Sequence, residues 1–143
     1  NPSLRCALFQ PINEQDDEIG DMVETAVYAQ WIPRQGVDIH YANWKNGKKE
    51  GEVDIVGLNL AKQKPSWAVE VKWSDRYFDN PNELASLRHF MEVNDMKYSI
   101  VTSISKKGKI EYGDKYYQFM PVACYAYTVG ENTMSQTREN LGL

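Results

Sequence analysis

Apolar positions between Asp17 and Ile32 recur at three- and four-residue steps: Ile19, Met22, Val23, Ala26, Val27 and Trp31. That period predicts an amphipathic helix. Asp16, Asp17 and Glu18 suit its positive N-terminal end, and Pro33 and Gly36 stop it. The pattern then shortens to a period of two. Val37–Trp44 reads as a first strand, with Asn46-Gly47 as the turn after it. In Glu52–Leu58, Val53 and Ile55 are expected on one face, Glu52 and Asp54 on the other. In Trp67–Trp73, Trp67, Val69, Val71 and Trp73 share a face, and Ala68, Glu70 and Lys72 lie opposite. Leu60–Pro65 reads as a turn, so the two strands form an antiparallel hairpin.

Further along, Asn80, Pro81 and Glu83 resemble the cap, first position and third position of a helix that carries Leu84, Leu87 and Met91 and ends near Asn94. Lys97–Ser103 is the next strand, expected parallel to its neighbour because a helix crosses between them. Lys109–Glu111 and Tyr116–Met120 suggest short closing strands. Pro121–Val129 is apolar and of either type, and Gly130–Leu143 is polar and expected to fray. The sum is an α/β domain, a mixed central sheet flanked by helices in αβββαβ order, over residues 1–143.

Within those strands Asp54, Glu70 and Lys72 are out of place. Charged groups in apolar strands are costly unless something compensates them, and a bound divalent cation would do so. Pairing the two strands brings Asp54 towards Glu70 and Lys72, and Mg²⁺ favours one or two carboxylates with water and phosphate oxygens. Alternating Glu and Lys is also what a solvated strand face looks like. Glu24 lies at the margin of the apolar face of the first helix, where it can turn to the sheet or to water.

Glu24, Asp54 and Glu70-x-Lys72, on elements in this order, resemble the PD-(D/E)xK nuclease superfamily, which includes restriction endonucleases and archaeal Holliday-junction resolvases. N-P-S-L-R at 1–5, A-L-F at 7–9, V-E-T-A-V at 23–27, Q-W at 30–31, Y-A-N-W at 41–44, G-E-V-D-I-V at 51–56 and V-E-V-K-W-S-D-R at 69–76 resemble the C-terminal domain of a family of prokaryotic AAA-type ATPases, a domain of unknown function with a nuclease-like fold. The resemblance implies a restriction-endonuclease-like core. It implies Asp54, Glu70 and the Val71 carbonyl as ligands of Mg²⁺ or Mn²⁺, Glu24 completing that shell directly or through water, and Lys72 orienting the attacking water or steadying the phosphate. The motif's usual Pro before Asp54 is replaced by Val53. The implied activity is hydrolysis of DNA phosphodiester bonds. The implied partners are DNA, an N-terminal ATPase domain of the parent chain and a possible homodimer.

Composition narrows this picture. With 143 residues, 25% of them charged and 12% aromatic, the chain suits one globular, cytoplasmic domain. No apolar run reaches the length of a membrane span, and no stretch is expected to act as a signal peptide. The chain starts at Asn1 without an initiator Met and is expected to be cut from a longer protein. Cys6 and Cys124 form no metal-ligand spacing. The net charge of −4 is unlike the basic footprint of a strong nucleic-acid binder. Lys45, Lys48 and Lys49, then Lys62 and Lys64, then Lys106, Lys107 and Lys109 flank turns, where lysines can grip phosphates but are more often simply solvated. His89 has no partner His or Cys at ligand spacing, and His40 shares a strand with Asp38 without belonging to a motif. The chain has no phosphate-binding G-x-x-x-x-G-K-[ST] motif, so ATP hydrolysis is not expected of it. The remaining alternative is a non-catalytic nuclease-fold module serving its ATPase in nucleic-acid binding, subunit contact or regulation.

Overall fold

A computed structural model describes Asn13, Asp16 and residues 18–141. The N-P-S-L-R and A-L-F runs, Cys6 and Asp17 lie outside the described residues. The elements run α1 (Ile19–Trp31), β1 (Ile39–Asn46), β2 (Lys49–Asn59), β3 (Lys64–Glu70), α2 (Arg76–Asp79), a 3-10 turn (Pro81–Glu83), α3 (Ala85–Val93), β4 (Tyr98–Ser103), β5 (Gly108–Tyr112), β6 (Lys115–Pro121) and α4 (Val122–Leu141). The strands form one six-stranded mixed sheet in the order β1-β2-β3-β4-β6-β5. β1–β2, β2–β3 and β5–β6 pair antiparallel, while β3–β4 and β4–β6 are parallel, as the crossover through α3 requires.

Two cores flank the sheet. On one side Leu84, Leu87, Phe90 and Met91 around α3 pack on Val53, Val56, Ala68, Val101 and Phe119. On the other, Val27 of α1 and Val122, Tyr125 and Val129 of α4 pack on Ile55, Val69 and Val71. Trp31 stacks on Trp67 with ring centroids 5.0 Å apart, which ties α1 to β3.

The structure corrects the expected elements in four places. The segment after Pro121 neither stays short nor frays: α4 continues for 20 residues. Its polar half is held by side-chain bonds to the chain around the end of α1. Gln136 Nε2 donates to the Gln35 carbonyl (3.1 Å), and Asn140 Nδ2 donates to Gln35 Oε1 (3.2 Å). Next, the strand expected at Trp67–Trp73 begins three residues earlier and ends at Glu70. The apolar face expected of it survives, since Trp67, Val69, Val71 and Trp73 all join the core under α1 and α4.

The third correction concerns the capping box, which does not form. Asn80 Nδ2 donates back to the Arg76 carbonyl at the start of α2 (3.2 Å), and Leu84, at ψ 40°, separates the 3-10 turn from α3. Finally, strict alternation in β2 fails. Asp54 and Ile55 together oppose Tyr41, because the β1–β2 register shifts between His40 and Ala42. This bulge sends Val53 and Ile55, expected on one face, into opposite cores.

Gly57 has no room for a side chain: a Cβ there would run into the indole of Trp67. Gly57→Ala is therefore expected to displace Trp67 from Trp31 and cost about 1–3 kcal/mol, as overpacking does. Urea unfolding checks this, and an unchanged midpoint would contradict it.

Candidate active site

The β2–β3 register pairs Ile55 with Val69 and Val56 with Ala68. Carried one residue further, it brings Asp54 level with Glu70. Both acids are buried, 6% exposed each. The ammonium of Lys72 reaches both, lying 2.9 Å from Glu70 Oε1 and 3.8 Å from Asp54 Oδ2. The hairpin thus assembles the three charges that the sequence placed on it. Glu24 comes from α1 and lines the same cavity as Asp54, so the helix-margin position turns towards the sheet.

Beyond Glu70 the ladder stops, and side chains hold the backbone instead. The Val71 N–H donates to Asp54 Oδ2 at 2.6 Å. The Lys72 N–H donates to Thr102 Oγ1 at 2.7 Å, and the Thr102 hydroxyl donates to the Lys72 carbonyl at 3.0 Å. Thr102, fully buried on β4, therefore clamps the residue that carries the ammonium. Sequence reasoning missed Thr102; its one signal was a Thr inside the apolar strand Y-S-I-V-T-S. It also missed Tyr41, whose hydroxyl donates to Glu52 Oε2, and Tyr77, whose ring lies 6.0 Å from the Lys72 nitrogen.

The neighbouring residues make contacts of their own. Ser74 acts as a turn hydroxyl, accepting from the Arg76 N–H (3.2 Å). Asp75 is held apart from its neighbour Arg76. It accepts from the Ser105 N–H and hydroxyl (2.8 and 2.6 Å), while Arg76 pairs with Glu83 (2.9 Å). Of the turn lysines, Lys106 and Lys109 lie against aromatic rings, Phe78 for the first and Tyr98 and Tyr116 for the second. His40 pairs with Asp38 (3.0 Å), and His89 packs against Trp44.

Burial, and after it the crowding of the acids, sets their protonation. Burial, then the nearby Asp54 charge, pushes both Glu24 and Glu70 up to about 7, against the opposing pull of Lys72. Burial also raises Asp54, although Lys72 and the Val71 N–H oppose it. For Lys72, burial works against the charge, but Glu70 and Asp54 outweigh it and hold the ammonium above its usual range. A protonated Lys72 is an electrostatic group, not a base.

Glu70 Oε2 is buried without a hydrogen-bond partner among the described residues. An unsatisfied carboxylate oxygen, acids that resist ionising and an all-oxygen donor set fit a hard divalent cation held by Asp54 and Glu70. Among the described residues no three His, Cys, Asp or Glu side chains are grouped closely enough to hold a metal ion. The fit is therefore to a two-carboxylate site completed by water, with Glu24 at one remove. The Val71 group seen bonding in the site is its N–H, which orients Asp54. No family model, curated protein or solved structure matches the chain. Among the described residues, no helix is long and apolar enough to cross a membrane.

Proposed function

We propose that this chain is a restriction-endonuclease-like domain that hydrolyses DNA phosphodiester bonds with Mg²⁺ or Mn²⁺. The observation that carries this reading is the shared contact of Lys72 with two buried carboxylates, one of which keeps an unpartnered oxygen. Asp54 and Glu70 would hold the cation, and the Val71 carbonyl is the backbone ligand that the resemblance implies. When bound, the cation supplies charge neutralisation at the phosphate and acidification of water. The chain's own groups do the rest. Asp54 is aimed by the Val71 N–H. Lys72, fixed through Thr102, presents positive charge to the oxygen on which negative charge develops. Glu24, with its carboxyl near neutrality, accepts or returns a proton through water.

Asp54→Ala and Glu70→Ala are each expected to abolish Mn²⁺ binding by calorimetry and cleavage of plasmid and oligonucleotide DNA. Unchanged Mn²⁺ affinity in both variants would end the metal-site reading.

A second reading is favoured by the absence, among the described residues, of a three-ligand group. On it, the domain is a non-catalytic module of an AAA-type ATPase, used for nucleic-acid binding, subunit contact (including a homodimer) or regulation. DNA binding without cleavage, in the presence of Mn²⁺, would select it.

A further inference from the structure

The cavity shared by Glu24 and Asp54 has a volume of ≈ 610 Å³, more than a hydrated cation requires. Apart from those two acids, the described residues of its lining carry no charge. Tyr28 and Ile32 reach it from α1 and its C-terminal end, and Tyr41 and Ile55 from the two sides of the β1–β2 bulge. Three of these are well exposed for their type: Tyr28 at 36%, Tyr41 at 48% and Ile32 at 72%. Exposed aromatic and aliphatic surface in a recess beside a polar cluster marks a binding site more often than a packing accident.

The chemistry of the walls selects the occupant. Two carboxylates disfavour an anion, and the other described residues of the walls offer a phosphate no cation. A flat, uncharged ring suits them, because tyrosine faces stack on bases with little regard to sequence. Tyr41 is already oriented, since its hydroxyl donates to Glu52, so little freedom is lost on binding. We propose that this cavity receives an unpaired base from the strand whose phosphodiester lies at Asp54, Glu70 and Lys72, making single-stranded DNA the substrate class. The inference rests on the phosphodiesterase reading of those residues. In a duplex both faces of a base are covered by its neighbours, and the base would have to leave the stack to enter.

The test is fluorescence anisotropy of the 143-residue protein with a short labelled strand and with the same sequence as duplex, Ca²⁺ replacing Mg²⁺ to suppress cleavage. The single strand is expected to bind more tightly. Tyr28→Ala and Tyr41→Ala should each weaken strand binding by roughly tenfold and leave Mn²⁺ affinity by calorimetry unchanged. Tyr41→Phe, which keeps the ring, should retain most of the affinity. Equal affinity for strand and duplex would overturn the proposal, as would unaltered strand binding in both alanine variants. Loss of Mn²⁺ binding in the parent protein, with tyrosine-dependent strand binding intact, would instead fail the phosphodiesterase reading alone.

Discussion

Lys72→Ala is expected to reduce DNA cleavage by at least about 10²-fold, the effect of removing one preorganised group from a developing oxyanion. It should also destabilise the metal-free protein. Lys72 is the cation that offsets both Asp54 and Glu70, and removing one partner leaves the buried charges of the other uncompensated, a loss of about 3 kcal/mol. The direction with pH separates this from lost packing. Without Lys72 the Glu70 carboxyl, already near 7, moves further up. The penalty is then largest at pH 8 and relieved towards pH 6, where the carboxyl takes a proton. Lost packing of the lysine side chain alone would cost the same at both. Lys72→Met keeps an apolar stem and should follow the alanine variant in cleavage. Urea unfolding in EDTA at the two pH values provides the measurement. A variant that cleaves like the parent, or whose stability deficit is the same at both pH values, would remove Lys72 from the role assigned to it.

The site was legible because its geometry rests on elements whose period the sequence states. Two strands with turn residues between them define a hairpin, and a hairpin with Ile55 opposite Val69 must bring Asp54 to Glu70. The angular position of Glu24 on α1 left it free to turn to the sheet or to water, and only the acids on β2 and β3 pointed to the sheet, where it lines the cavity with Asp54. What the sequence hid is the means by which those side chains are held. A bulge is one residue in a register, and no residue type announces it; Asp54-Ile55 reads as ordinary alternation until the partner Tyr41 is known. The Thr102 clamp joins positions 30 apart in sequence, and a Thr inside an apolar strand does not say which residue it binds.

The long α4 was misread for a related reason. Its N-terminal half shows its stripe, Val122, Tyr125 and Val129, but its C-terminal half is polar. Propensity and pattern describe only what a helix buries in apolar surface. Gln136 and Asn140 are instead bonded to Gln35, near the end of α1, and that contact becomes visible only once the two helices lie together. Local patterns state which face is greasy; they are silent on polar partners brought from far along the chain.

In the metal-free protein, stability is expected to fall as pH rises from about 5 to 8, and divalent cations are expected to restore it. The sign follows from Glu70. Its folded carboxyl stands at about 7, raised by burial and by Asp54, above an ordinary value of 4.5. A group raised on folding contributes stability that is fully present below its unfolded value and lost as pH climbs through its folded one. For Glu70 the loss is on the order of 3 kcal/mol. Glu24 acts in the same direction with a smaller share, since its partial exposure screens it. Asp54 is also raised and adds to the slope, whereas Lys72 titrates far above this window and leaves it unchanged. A cation competes with the protons for the same oxygens, so the gain in Tm on adding Mn²⁺ should be larger at pH 8 than at pH 6. Thermal unfolding by circular dichroism across that range, in EDTA and in Mn²⁺, decides the matter. Rising stability towards pH 8 in EDTA would contradict a cluster of crowded buried acids. A gain from Mn²⁺ that is equal at both ends would place the cation away from Asp54 and Glu70.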